Sequence, residues 1–168
     1  MNYQIRAWQY IKVLTDYVTN WIDVDDIIEA TEKVFWHTGK HASVEFGSAR
    51  IVIVGKDFVV KWDYDECVKN IGGCEDEFRV YKQSFSAGYS YLLAPCYRVT
   101  YRGKYFYIMP RIHNIGREAH KNKQLDDFTT KEEYQWLINN IGDLHSYNWG
   151  IENNKAVIID YACRECGI

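Results

Sequence analysis

The sequence predicts an α+β fold, and three patterns predict it. Apolar residues recur at helical spacing near the N-terminus, at Trp8, Ile11, Leu14, Val18 and Trp21. Between residues 44 and 109 the pattern changes to short Val-, Ile- and aromatic-rich runs separated by glycine turns, as antiparallel strands require. A capped helix then leads into a polar loop and a last pair of strands.

Each element has its own signal. Residues 3–20 carry the first apolar helical stripe. Asp23 to Asp26 offer a cap and an acidic first turn to a second helix, with Ile27, Ile28, Thr31, Val34 and Phe35 as its apolar face. Val44–Phe46, Ala49–Val54 and Phe58–Trp62 read as strands, with Gly55-Lys56-Asp57 as a hairpin turn. Phe78, Tyr81, Lys82 and Phe85 fall at i, i+3, i+4 and i+7 and predict a helix over 74–86. Tyr97–Tyr101 and Lys104–Met109 form a second hairpin around Arg102-Gly103. Residues 113–128 are polar and read as an irregular loop. Thr129 or Thr130, with Glu132 or Glu133 three residues on, is a capping box. It opens a helix with Tyr134, Leu137, Ile138 and Ile141 on one face. A strand near Ile151, the turn Glu152-Asn153-Asn154-Lys155 and a strand Ala156–Asp160 follow.

At 168 residues, with no linker or repeat, the chain reads as one domain, 1–168, able to bury a core. The balance of 47% hydrophobic and 26% charged residues excludes an intrinsically disordered chain. Aromatics reach 16%, which fits a densely packed body or a ring-rich partner surface. A net charge of −3 argues against nucleic acid as a partner, which usually needs a basic field. No long apolar run predicts a membrane span, and Met1–Arg6 carries no signal-peptide core, so the expected location is the cytoplasm.

Five cysteines in such a chain read as reduced thiols. Cys163 and Cys166 form a C-x-x-C, to which Cys67 and Cys74 could add two zinc ligands, though at no standard spacing. Two tail thiols without a metal are the simpler reading.

The chemistry-bearing residues gather late in the chain. Asp143-Leu144-His145-Ser146-Tyr147-Asn148 places one acidic residue five positions before an asparagine on a single loop. Ile158-Ile159-Asp160 ends an apolar run with a second acid, twelve residues after Asn148. Phosphoryl transfer needs such a set: one carboxylate to orient an acceptor hydroxyl, and oxygen ligands for magnesium on the nucleotide phosphates. Each residue also has a plainer role. Lys61 in an apolar strand is usually an edge residue with its ammonium in water. Glu77 is a helix surface charge, Asp143 a helix end, Asn148 with Gly150 a turn, and Asp160 a strand end. Their order along the chain is what sets them apart.

That order resembles the protein-kinase-like fold. Val59-Val60-Lys61 is similar to the V-A-I-K lysine strand. Glu77 resembles the helix glutamate that pairs with that lysine, with Glu75 as the alternate. Phe106–Arg111 is similar to the last small-lobe strand running into the adenine-holding hinge, with Met109 at that hinge. Asp143-Leu144-His145-x-x-Asn148 resembles the D-L-H-x-x-N loop of aminoglycoside phosphotransferases and of small kinase-like proteins of bacteriophages. Asp160-Tyr161-Ala162 stands where the protein kinases carry D-F-G.

The resemblance implies a small antiparallel-sheet lobe with one helix (37–110), a much reduced helical lobe (111–168), and preceding helices at 1–36. Eight residues follow Asp160, so the second lobe is expected to be cut to its minimum, with the N-terminal helices covering apolar surface in compensation. It implies ATP and Mg2+ as cofactors. Lys61, held by Glu77, would contact the phosphates, Asn148 and Asp160 would ligate the metal, and Asp143 would receive the acceptor hydroxyl. His145 would orient the loop or contact the γ-phosphate. Gly47 and Ser48 would form a reduced phosphate-covering loop, in competition with Gly39-Lys40-His41. The acceptor would be a protein or a small hydroxylated molecule. The alternative is a catalytically inactive kinase-like module that engages a protein partner.

Overall fold

Asn2 starts the first helix, α1 (Tyr3–Leu14): its side chain accepts the Gln4 N–H and satisfies one of the helix's orphan donors. The computed structural model describes residues 2–46, 50–63, 73–113 and 122–161. The predicted helix over 3–20 stops at Leu14. The Thr15 hydroxyl turns back to the Ile11 carbonyl at 2.6 Å, and Asp26 then gathers the N–H groups of Thr19 and Asn20. Those contacts bend the chain into α2 (Val24–Thr38), capped by Asp23 as expected and ended by Gly39 in the left-handed region. Gly39 thus serves as a helix stop.

The strands β1 (Ser43–Phe46), β2 (Arg50–Val54), β3 (Phe58–Asp63), β4 (Tyr97–Tyr101) and β5 (Lys104–Pro110) form one antiparallel sheet in the order β1-β2-β3-β5-β4. The turn between β2 and β3 is pinned on two sides. Arg6 pairs with Asp57, and Arg111 donates to the Gly55 carbonyl at 3.0 Å. Both predicted hairpins are present, with Arg102 and Gly103 at positive φ in the second.

The chain divides into two compact units, residues 1–69 with 97–111, and residues 70–96 with 112–168. The first holds the sheet, α1 and α2. Its core joins Ala7, Tyr10, Ile11 and Leu14 of α1 and Ile27, Ala30 and Val34 of α2 to Ile51, Ile53, Phe58, Val60, Trp62, Phe106 and Ile108 of the sheet. Alternation along a strand sends Phe58, Val60 and Trp62 to one face. The apolar surface that the N-terminal helices cover is therefore that face of the sheet.

The second unit holds α3 (Cys74–Ala87), a 3-10 turn at Ser90–Leu92, another at Leu125–Phe128, α4 (Lys131–Asn140) and the hairpin β6 (Trp149–Glu152)–β7 (Lys155–Ile158). The capping box that opens α4 is Thr130 with Glu133. The segment expected to be irregular contains the Leu125–Phe128 turn, closed by its own box between Gln124 and Asp127, with Leu125 buried. Leu93 bridges in parallel to Ile158, and the Ala94 N–H donates to the Ile158 carbonyl at 2.8 Å. Among the described residues no helix is long and apolar enough to cross a membrane.

Candidate functional site

The second unit brings four of the singled-out residues together. After α4 the chain runs as a loop from Ile141 to Asn148, shaped by three side chains. The Asp143 carboxylate accepts the His145 N–H at 3.3 Å, an Asx-type turn. His145 Nδ1 accepts the Tyr147 N–H at 3.2 Å. The other ring nitrogen, Nε2, lies 3.3 Å from the second Asp143 oxygen. His145 therefore ties the loop at Tyr147 and lies against the Asp143 carboxylate. The two side chains are 52% and 64% exposed, so the pair adds little stability and its effect is one of orientation.

Asn148 closes the loop. Its side-chain Nδ2 donates to the Asp143 carbonyl at 3.2 Å, and its N–H donates to the His145 carbonyl at 2.9 Å. Its own carbonyl accepts two N–H groups, from Ile159 at 2.8 Å and from Asp160 at 3.2 Å. The expected strand Ala156–Asp160 runs from Lys155 to Ile158: the Ile159 N–H still reaches Asn148, the residue opposite it in the hairpin register, and the Asp160 N–H shares that same carbonyl in place of a further ladder partner. Asp160 is a post-strand residue fastened to the loop.

Glu77, on the first turn of α3, is fully buried and accepts the Tyr161 N–H at 3.4 Å. The Tyr161 ring is fully buried as well, and its hydroxyl donates to the Ala94 carbonyl at 2.7 Å. Burial pushes its phenol well above the ordinary tyrosine range. Glu77 and Asp160 are thereby linked through the residue that follows Asp160. Of the two glutamates weighed, Glu77 is the buried one and Glu75 is half-exposed.

Lys61 and Met109 belong to the first unit. Lys61 lies on a central strand, opposite Val52 of β2 and Tyr107 of β5. It is only 6% exposed, which is not the environment of an edge lysine with its ammonium in water. Met109 is buried on β5 opposite Val59, and the chain passes into the second unit two residues later, between Arg111 and Ile112. Gly47 and Ser48 lie outside the described residues, as do Cys67, Cys163 and Cys166. Cys74 and Cys96 are buried thiols.

The donor set suits a hard divalent cation. Asn148, whose Nδ2 donates to the Asp143 carbonyl, carries an amide oxygen, and Asp160, bonded to it through the backbone, carries a carboxylate. Among the described residues no three His, Cys, Asp or Glu side chains converge as a metal cage. One or two protein oxygens, completed by phosphates and water, is the usual manner of holding Mg2+.

Two features had no clear mark in the sequence. Tyr161 stood out only as the middle residue of Asp160-Tyr161-Ala162, and its buried hydrogen bond to Ala94 depends on tertiary packing. The second is a cavity of about 440 Å3 beside the loop, lined by residues 122–125, Tyr134, residues 144–146 and Trp149. No protein-family model matches the chain, and no curated protein matches it.

Proposed function

We propose that the chain is a kinase-like protein that binds ATP with Mg2+ and transfers the γ-phosphate to a hydroxylated acceptor. One observation carries the reading: the Asn148 carbonyl accepts the N–H of Asp160, so the two residues that carry an amide oxygen and a carboxylate, donor types suited to magnesium, are joined through their backbones at the end of the loop that presents Asp143. The buried Lys61 on the third strand and the buried Glu77 on the helix that follows it support the reading, since a kinase lysine and its glutamate occupy those elements.

In this reading Asn148 and Asp160 hold the metal, which offsets charge on the phosphates. Lys61 directs its ammonium to the α- and β-phosphates, and Glu77 orients it. Met109 lies beside the adenine and Gly47-Ser48 over the phosphates. Asp143, with His145 beside it, accepts the hydrogen bond of the acceptor hydroxyl and fixes its line of attack. The test is ATP turnover beside ATP binding in Asp143→Asn. Binding retained with turnover lost supports the reading. Turnover unchanged contradicts the role of Asp143.

A second reading, a catalytically inactive kinase-like module that engages a protein partner, is favoured by exposed rings. Trp36 is 80% exposed and Tyr147, within the loop itself, 66%. It predicts no turnover in the wild type with any acceptor.

A further inference from the structure

The cavity beside the Asp143–Asn148 loop has a lining with a definite chemistry. Its volume of about 440 Å3 falls within the range of small-molecule sites. Leu144, His145 and Ser146, three consecutive loop residues after Asp143, form part of its wall. His145 is also the residue whose Nε2 lies 3.3 Å from the Asp143 carboxylate, so a ligand touching His145 is one side chain away from that carboxylate. The whole lining belongs to the second unit.

The remaining lining decides what fits. Asn122, Gln124 and Ser146 supply neutral donors and acceptors, and Lys123 supplies a fixed positive charge. The Lys123 ammonium lies 5.2 Å from the centre of the Phe128 ring, which holds it near the cavity. No carboxylate lines the cavity among the described residues. Tyr134 and Trp149 add ring surface against which the C–H face of a small ring can lie. The described lining offers a polycationic amine one like charge and no carboxylate, with Asp143 only behind His145, whereas a neutral or anionic polyol finds hydrogen bonds and an ammonium.

We infer that this cavity is the acceptor site, and that it takes a neutral or anionic hydroxylated ring compound of monosaccharide to nucleoside size. The assignment as acceptor site rests on the kinase reading above, whereas the ligand class rests on the lining alone.

The experiment is ligand-observed saturation-transfer NMR on the full chain with four probes: myo-inositol, glucose 6-phosphate, uridine and the polycation kanamycin. Mg-ATP binding is measured in parallel by calorimetry. The variants are Ser146→Trp, which fills the cavity, and Lys123→Glu, a charge reversal at an exposed residue, with the fold of each checked by circular dichroism. At least one of the first three probes binds, and kanamycin binds more weakly than that probe. Ser146→Trp weakens the bound probe by about tenfold or more, and Lys123→Glu does the same for the anionic probe, with Mg-ATP affinity unchanged in both. If none of the three binds while Mg-ATP does, the acceptor inference is overturned and the nucleotide reading survives. If a probe binds but Mg-ATP does not, the acceptor role falls with the nucleotide reading. Tighter binding of kanamycin overturns the ligand class.

Discussion

The Asn148 carbonyl accepts the Asp160 N–H at 3.2 Å, which fixes two residues twelve positions apart at one place in the second unit. The same oxygen takes the Ile159 N–H at 2.8 Å. The Ile159 bond continues the β6–β7 register, and the second donor fastens the Asp160 backbone to the end of the loop. Backbone hydrogen bonds therefore join the loop to the post-strand segment, and the magnesium site proposed above draws one residue from each.

Glu77 separates stability from binding. Glu77→Ala leaves the buried Tyr161 N–H without its acceptor, at a cost of about 1–3 kcal/mol. Glu77→Gln keeps an oxygen there and loses less, yet it removes the charge that orients Lys61 in the proposed function. Urea denaturation and ATP titration of the two variants should therefore rank differently. Equal losses in both measurements would contradict the proposed pairing.

Alkaline pH should unfold the protein. Burial pushes the Tyr10 phenol from its ordinary 10.0 up to about 12, and Tyr161 well above 10.0. Below the ordinary value both phenols are neutral in the folded and unfolded chain, and neither affects stability. Above it the unfolded chain releases protons that the folded chain keeps. The folded state then binds more protons, and stability falls as pH rises from about 10 to about 12. The urea midpoint should stay level up to about pH 9.5 and drop beyond pH 10, less steeply in Tyr10→Phe. A midpoint unchanged to about pH 11.5 would contradict this.

Gly55→Ala should destabilise the first unit. A Cβ there runs into the ring of Phe58, which is buried in the sheet core, while the Gly55 N–H is held by the Phe58 carbonyl at 2.9 Å. The ring has to shift, at about 1–3 kcal/mol. Thermal denaturation measures it, and an unchanged melting temperature would mean the turn gives way without strain.

The Thr130 cap is a local test of α4, the helix that leads into the loop. Its hydroxyl accepts the Glu133 N–H at 3.2 Å, while Glu133 takes the Thr130 N–H and the Tyr91 hydroxyl, each at 2.5 Å. Thr130→Ala should cost about 1 kcal/mol, and Thr130→Ser almost nothing. A Ser variant as unstable as the Ala variant would locate the effect outside the cap.

Much of the α+β fold was legible because its signals are local. Asp23 before an acidic turn, Thr130 with Glu133, Gly55 between Val/Ile runs and Arg102-Gly103 each specify a cap or a turn within four residues. The end of α1 was not legible, since Val18 and Trp21 keep helical spacing, and Asp26, reaching back to Thr19 and Asn20, decides the bend. The end of β7 was missed for the same kind of reason: Ile159 extends the apolar run and still bonds to Asn148 opposite it, while the Asp160 N–H doubles back onto that same carbonyl. Asp143, Asn148 and Asp160 were found by type and order. That Asn148 binds both segments depends on a backbone carbonyl, which no side-chain pattern encodes. The cavity lining combines four separate stretches of chain, and no short window carries it.

The most direct measurement is calorimetric titration of Mg-ATP into the wild-type chain and into Asp160→Asn, with the fold of the variant checked by circular dichroism. The account predicts micromolar binding that requires Mg2+ and is lost in the variant. Equal binding in both proteins, or no binding in the wild type, would contradict a magnesium–nucleotide site at Asn148 and Asp160.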